Sequence, residues 1–463
     1  MSKRIITIDI ASAISLMMTL SINAYELRWD WNKINHYDIS FPGNFLWGCA
    51  DSALQTEGLE TANSSMVENS WTLFENEIAI PVERRAGKAC HRWTKYEEDI
   101  QLIKNIGMNS HRFSIEWSKL EPEEGIYDHA AMQHYCDMID QMLAQNITPM
   151  ITLFHHTYPV WFAKKGAFEY KQNNFHFVRF ALYVFRHLHR KVPLWITMNE
   201  PVGYAIEGYY RGVYPPGKKS LKLAGKVAKN LLNAHVSIYK EFKKIDRRPQ
   251  IGLSHIFNPL DAHSKWNPLE QVAARSFDYL VNKVTVNFFQ SGTFDWAYLV
   301  RGYNKDAKQA LDFFGINYYT HTTIKQMNLL SLKPQHRFDE VLLDHAIDGR
   351  VCKVLYPEGL YRSIKNAAKL KVPLYITENG TAATDPALRD DYIKKHLYVI
   401  SRALQEGFDV RGYFFWTLMD CFCWRKGFTD KHGIYQVNFE TQERTLRPGC
   451  EYLIETARRF KNS

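Results

Sequence analysis

Three observations predict an α/β fold, a single (β/α)8 TIM barrel with long βα loops. A strand-like apolar run followed by a helix-like stretch repeats eight times from residue 38 onward. Polar and charged residues gather where those runs stop, as they do when all strand ends share one face of a closed barrel. No Gly-rich phosphate fingerprint follows the first run, which speaks against an open, doubly wound dinucleotide fold.

The runs lie at 44–53, 108–117, 147–156, 194–201, 250–257, 311–319, 373–380 and 410–420. Each is short and apolar, as a strand buried on both faces must be. Between them, 95–106, 130–145, 175–190, 223–244 and 390–406 carry apolar residues at helical spacing. Segments near 157–174, 258–275 and 320–350 read as long loops that wall the cleft. The chain has 463 residues, no linker and no low-complexity tract, which suits one barrel spanning 38–460.

Apolar residues make up 46% of the chain, enough for a large core. The 14% aromatic share, with 12 Trp and 26 Tyr, suits stacking on sugar faces as well as core packing. The net charge of +9 is dispersed in short pairs such as Arg84-Arg85 and Lys218-Lys219. A nucleic-acid tail would show long basic blocks, so no nucleic-acid partner is expected. Seven scattered cysteines form no disulfide framework, and Cys421-Phe422-Cys423 lacks the second ligand pair of a zinc site. At the N-terminus, Lys3-Arg4, the stretch 5–20 and Ala24 read as a signal peptide over 1–24, interrupted by Asp9. Export to a secreted or periplasmic location and retention in the cytoplasm both stay open. No transmembrane domain is expected.

Two strings carry the chemistry. Thr197-Met198-Asn199-Glu200-Pro201 and Ile376-Thr377-Glu378-Asn379-Gly380 each set a glutamate at the end of an apolar run. Two carboxyls at one barrel rim are what glycosidic cleavage needs. One is protonated to release the leaving oxygen, and the other is ionised to attack or stabilise the anomeric carbon. Gln55 and Glu57 follow the first run, Arg112 lies in the second, and His155-His156 end the third. Asn317 and Tyr319 end the sixth, and Trp416 lies in the eighth. Singly, each has an ordinary explanation as surface cation, core histidine or barrel filler. Jointly they describe a cleft with two acids, a cation and neutral hydrogen-bond donors.

Further strings are Phe45-Leu46-Trp47-Gly48, His111-Arg112-Phe113-Ser114-Ile115-Glu116-Trp117, Gly315-Ile316-Asn317-Tyr318-Tyr319 and Tyr356-Pro357-Glu358-Gly359-Leu360. With the two glutamate motifs, the sequence resembles glycoside hydrolase family 1, the β-glucosidase and β-galactosidase family, over nearly its whole length. The resemblance implies retaining hydrolysis of a small-molecule or oligosaccharide β-glycoside without metal or cofactor. It implies Glu200 as acid/base and Glu378 as nucleophile, with Arg112 and Tyr319 supporting Glu378. Asn199 matches the position that contacts the sugar 2-hydroxyl. Gln55, His155 and Trp416 match positions that hold the glycone, and Asn317 and Trp424 join the substrate-binding set.

The departures fall in the specificity shell. Cys423 stands where the family places a glutamate that grips the sugar 4- and 6-hydroxyls, while Trp424 is kept. His156 replaces a Trp beside His155, and Lys353 replaces the aglycone platform Trp. A phosphoglycoside branch also lacks that glutamate. However, it carries Lys and Tyr where this chain has Asp430 and His432, and an aspartate repels phosphate. Two other readings are a noncatalytic glycan- or protein-binding relative and a transglycosidase. The first conflicts with retention of both glutamates. The second uses the same residues. Oligomeric state is not legible.

Overall fold

A computed structural model describes residues 27–61, 66–262, 264, 266–327, 334–337, 355–424 and 426–461, with backbone alone for 325–327 and 334–337. The expected signal segment 1–24 and Lys353 lie outside the described residues.

Eight parallel strands close a barrel. They are β1 (Leu46–Ala50), β2 (Ser110–Ser114), β3 (Thr148–Thr152), β4 (Leu194–Asn199), β5 (Gln250–Phe257), β6 (Phe314–Tyr318), β7 (Leu374–Asn379) and β8 (Val410–Trp416). Each strand pairs with its sequence neighbours, and β8 closes onto β1. All eight apolar runs contain their strand. Every residue of β2, β4, β6 and β7 is buried, which explains their lack of polar alternation.

Outside lie α1 (Arg92–Asn105), α2 (His129–Ala144), α3 (Asn174–Leu188), α4 (Leu221–Ile245), α5 (Val284–Ser291), α6 (Pro357–Ala367), α7 (Pro386–Gln405) and α8 (Glu451–Phe460). Their starts are set by side chains that satisfy free amides of the first turn. Asp128 accepts from Ala131 at 2.9 Å before α2, and Ser220 accepts from Leu223 at 3.2 Å before α4. Asp385 accepts from Ala387 at 2.8 Å, with Pro386 opening α7. The five expected helices fall within a few residues of α1, α2, α3, α4 and α7.

The segment read as a loop over 258–275 instead holds a short strand, Leu260–Ala262, and the start of a helix, Pro268–Asp278. That strand pairs with Thr322–Met327 beyond β6. The string beginning Tyr356-Pro357 opens α6, where a first-turn Pro needs no amide partner. Its Glu358 accepts from the Trp29 amide at 2.7 Å and the Trp31 indole at 3.0 Å, which fastens the N-terminal segment to the barrel.

Two apolar layers hold the barrel. Ala50, Met150, Leu194, Ile196, Phe313, Tyr375, Phe414 and Trp416 fill its centre. Between strands and helices, Trp195 of β4 packs on Phe185 of α3 and Phe242 of α4, ring centres 5.0 and 5.7 Å away. Gly48 makes the β1–β8 contact possible. A Cβ there would sit 2.6 Å from the Phe414 ring and 2.8 Å from the Ser110 carbonyl oxygen.

Candidate active site

Strand register places the polar residues before any side chain is considered. Ala50 of β1 pairs with both Trp416 and Arg112, and Glu378 pairs with Asn317. The ladders shift register between Ile196 and Asn199 on β4, and between Ile376 and Glu378 on β7. Irregularities of this kind re-aim the side chains that follow them. Glu200 itself takes left-handed backbone, φ 46°, which a non-glycine residue adopts at a cost of about 1–3 kcal/mol.

Arg112, wholly buried, organises the floor. Its Nη1 donates to Glu378 Oε1 at 2.7 Å and to the Thr377 carbonyl at 3.0 Å. Its Nη2 donates to Asn199 Oδ1 at 2.6 Å, and its Nε to Thr152 Oγ1 at 3.2 Å. The Tyr319 hydroxyl donates to Glu378 Oε2 at 2.5 Å. Both Glu378 oxygens therefore accept from fixed donors. Burial, then the charge of Glu378, hold the Tyr319 phenol well above its usual range, so it stays a donor.

Glu200 sits differently. Asn317 Nδ2 donates to its Oε1 at 2.7 Å, and Thr377 Oγ1 orients that amide by donating to Asn317 Oδ1 at 2.7 Å. Burial of the carboxyl and then repulsion from Glu378 raise its pKa to about 8, against the weaker pull of Asn317 and Arg112. Two carboxyls in one pocket are thereby set differently, one held by a cation and a phenol, the other by a neutral amide.

The aromatic wall is continuous. His155 stacks on Trp416 with ring centres 5.7 Å apart, lies 6.2 Å from Trp424, and has Nε2 3.1 Å from Asn199 Nδ2. His156 sits between Tyr204 at 5.6 Å and Trp424 at 5.6 Å. Burial lowers both histidines, His155 well below its usual value and His156 to about 3, so both rings are neutral. Gln55 Nε2 donates to the Phe422 carbonyl at 2.7 Å and its Oε1 accepts from Ser52 Oγ at 2.6 Å. Half-buried Cys423 follows Phe422, and its Sγ lies 3.8 Å from the Asp430 carbonyl oxygen.

Glu200, Glu378, Arg112, Tyr319, Asn199, Asn317, His155 and Trp416 thus converge in one network of hydrogen bonds and ring stacks, and Gln55 and Trp424 adjoin it. Glu57, which also follows the first run, does not join. It pairs with buried Lys119 at 3.0 Å and accepts from Tyr135 at 2.9 Å, on the helix side of β1. Thr152 and Thr377 were missed by the sequence reading. Their signal was position alone, each at the C-terminal end of a strand. A separate hollow of 760 Å³, lined by Phe45, Leu194, Tyr375 and Val410, opens at the opposite end of the barrel. It contains no glutamate.

Glycosyl hydrolase family 1 matches residues 37–461. A 1,4-beta-D-glucan glucohydrolase of Thermotoga neapolitana is 31% identical over 432 residues, covering 88% of this chain and 96% of that protein. Among solved structures, a beta-glycosidase from Pyrococcus horikoshii superposes with TM-score 0.80 at 34% identity, covering 92% of this chain and 96% of that one. A beta-glucosidase from Thermotoga maritima in complex with deoxynojirimycin gives TM-score 0.80 at 27% identity, covering 92% and 100%. Relatives and fold agree over the whole barrel, and the chain belongs to glycosyl hydrolase family 1 as a glycoside hydrolase of β-glucosidase type.

Proposed function

We propose that this enzyme hydrolyses O-linked β-glycosides with retention of anomeric configuration, with Glu378 as nucleophile and Glu200 as acid/base. The observation that carries the reading is the unequal setting of the two carboxyls. Arg112 and Tyr319 hold Glu378 ready to attack, while Glu200 is raised to about 8 and keeps its proton at neutral pH. Glu378 attacks the anomeric carbon as Glu200 gives its proton to the glycosidic oxygen, and the aglycone leaves as an alcohol. With Glu378 esterified, the charge that raised Glu200 is gone, and Glu200 becomes a base. It takes a proton from water, the water oxygen bonds to the anomeric carbon, and Glu378 leaves as carboxylate.

Asn199 and Asn317 carry the roles of 2-hydroxyl partner and acid/base orienter. Gln55, His155, Trp416 and Trp424 hold the glycone. The substrate class follows from relatives named for β-glucosides and β-glucan, and from the stacked aromatic wall. Cys423 modifies that class. A thiol is a weak partner for sugar hydroxyls, so the 4- and 6-positions are recognised differently from plain glucose. Proton NMR of the first product during a short digestion tests the mechanism. The β-anomer should appear first and then mutarotate, whereas initial α-anomer overturns it.

A further inference from the structure

Just beyond the glycone wall, sequence spacing and structure part company. Cys421-Phe422-Cys423 has no second ligand pair nearby in sequence, yet the loop after β8 turns back on itself. The Cys423 amide donates to the Gly427 carbonyl at 2.7 Å, and the Lys426 amide to the Cys423 carbonyl at 2.7 Å. This turn brings the ligand atoms of Cys423, Asp430 and His432 within 4.8 Å of one another. Among the described residues, no other set of three such groups comes so close.

A tetrahedral ion with bonds of about 2.0–2.3 Å needs its ligands about 3.3–3.8 Å apart, so a contraction of about 1 Å completes the geometry. The donor set is one sulfur, one imidazole and one carboxylate, the mixture a borderline-soft divalent ion takes. Two features bear on it independently. The Cys421 thiol lies in hydrogen-bond contact with Cys423 and so can donate to it. Lys426 bonds both Asp430 oxygens, at 3.0 and 2.8 Å, and must yield one of them to an ion.

We propose that Cys423, Asp430 and His432 bind one zinc-type divalent ion, which leaves a fourth coordination position open. Binding releases the Cys423 thiol proton to solvent, and His432 contributes a neutral ring nitrogen. The site adjoins the sugar pocket. Cys423 precedes Trp424, and the His432 ring lies edge-on to Tyr319 with centres 6.3 Å apart. An ion there stands beside the glycone and raises the apparent KM for a glycoside. This consequence rests on the proposed function, but the binding does not.

Cobalt titration of the metal-free full-length protein tests it. Wild type should develop a thiolate-to-cobalt charge-transfer band that saturates at one equivalent and that Zn2+ abolishes. Cys423→Ser should lose the band, Asp430→Asn should need more metal, and Lys426→Gln should need less. Circular dichroism checks each fold. A folded wild type without the band overturns the site, and so does a band retained in folded Cys423→Ser. Should Cys423→Ser not fold, the opposite shifts of the Asp430 and Lys426 variants decide, and equal midpoints overturn the site. Zn2+ that displaces the band but leaves KM unchanged overturns its placement beside the sugar.

Discussion

Asn317 Nδ2 lies 2.7 Å from Glu200 Oε1. The same nitrogen lies 2.9 Å from Asn199 Oδ1, and Arg112 reaches that oxygen at 2.6 Å on its way to Glu378. The two carboxyls are therefore linked through four hydrogen bonds as well as through space. Removing Glu378 changes the proton affinity and orientation of Glu200 together, which the predictions below exploit.

Glu378→Gly should abolish turnover while leaving a pocket that admits small anions. Azide or formate should restore activity on aryl glycosides and give product of inverted configuration. Chiral analysis of the azide adduct checks this, and a retained product would remove Glu378 from the nucleophile role.

Activity on alkyl glycosides should fall as pH rises through about 8, where free Glu200 loses its proton. Substrates with activated leaving groups should depend less on that limb. Replacing Glu378 with Gln removes a charge that raises Glu200, so a carbon-13 carboxyl titration of that variant should place Glu200 below about 8.

The same shift sets a stability trend. Glu200 rises from an ordinary 4.5 to about 8 in the fold, so the native state binds more protons than the unfolded chain between those values. Stability should thus fall as pH climbs through that window, because ionising an enclosed carboxyl is unfavourable. Glu200→Gln does not titrate. Its Tm relative to wild type should rise from about pH 4.5 to about pH 8 and then level off, as calorimetry can follow.

Arg112→Met should be more damaging than a surface change. It strands the buried Glu378 carboxylate and the acceptors on Asn199 and Thr377, and breaking such a pair costs about 3–5 kcal/mol. Urea unfolding should show the loss, and activity should disappear even where the variant stays folded.

Cys423→Glu tests the proposed change in the sugar shell. One charge-assisted hydrogen bond of about 1.5–3 kcal/mol corresponds to roughly ten- to a hundredfold in kcat/KM on plain glucosides. A substrate modified at C4 or C6 should respond in the opposite direction. An unchanged rate on plain glucosides would mean that another residue already supplies the contact.

Strands were legible because burial on both faces writes itself as uninterrupted apolar letters, as in Leu194-Trp195-Ile196. Helices α5, α6 and α8 were not read, although half of their residues or more are buried. In α6, Pro357 and Gly359 imitate turn composition in the very turn where proline is tolerated. The glutamates were legible because each terminates such a run. Glu57 looked equivalent by position, but Ala53–Glu57 is a helical turn that carries it to Lys119. No local pattern distinguishes the two outcomes. The Phe422 carbonyl that Gln55 engages was invisible for another reason, since a backbone acceptor has no letter of its own. Asp430 and His432 gave their positions but not their distance to Cys423, which only the returning loop sets.

Gln55 and Phe422 are separated by 367 residues along the chain. One partner leaves the ribosome early and the other close to the end of synthesis. β8 must close onto β1 before the two can meet, so no partly synthesised chain completes the proposed sugar pocket. During refolding, glycoside turnover should be the last signal to recover, after fluorescence from Trp195 and its neighbours has already become native. In this molecule hydrolysis is a proofreading assay for closure of the ring.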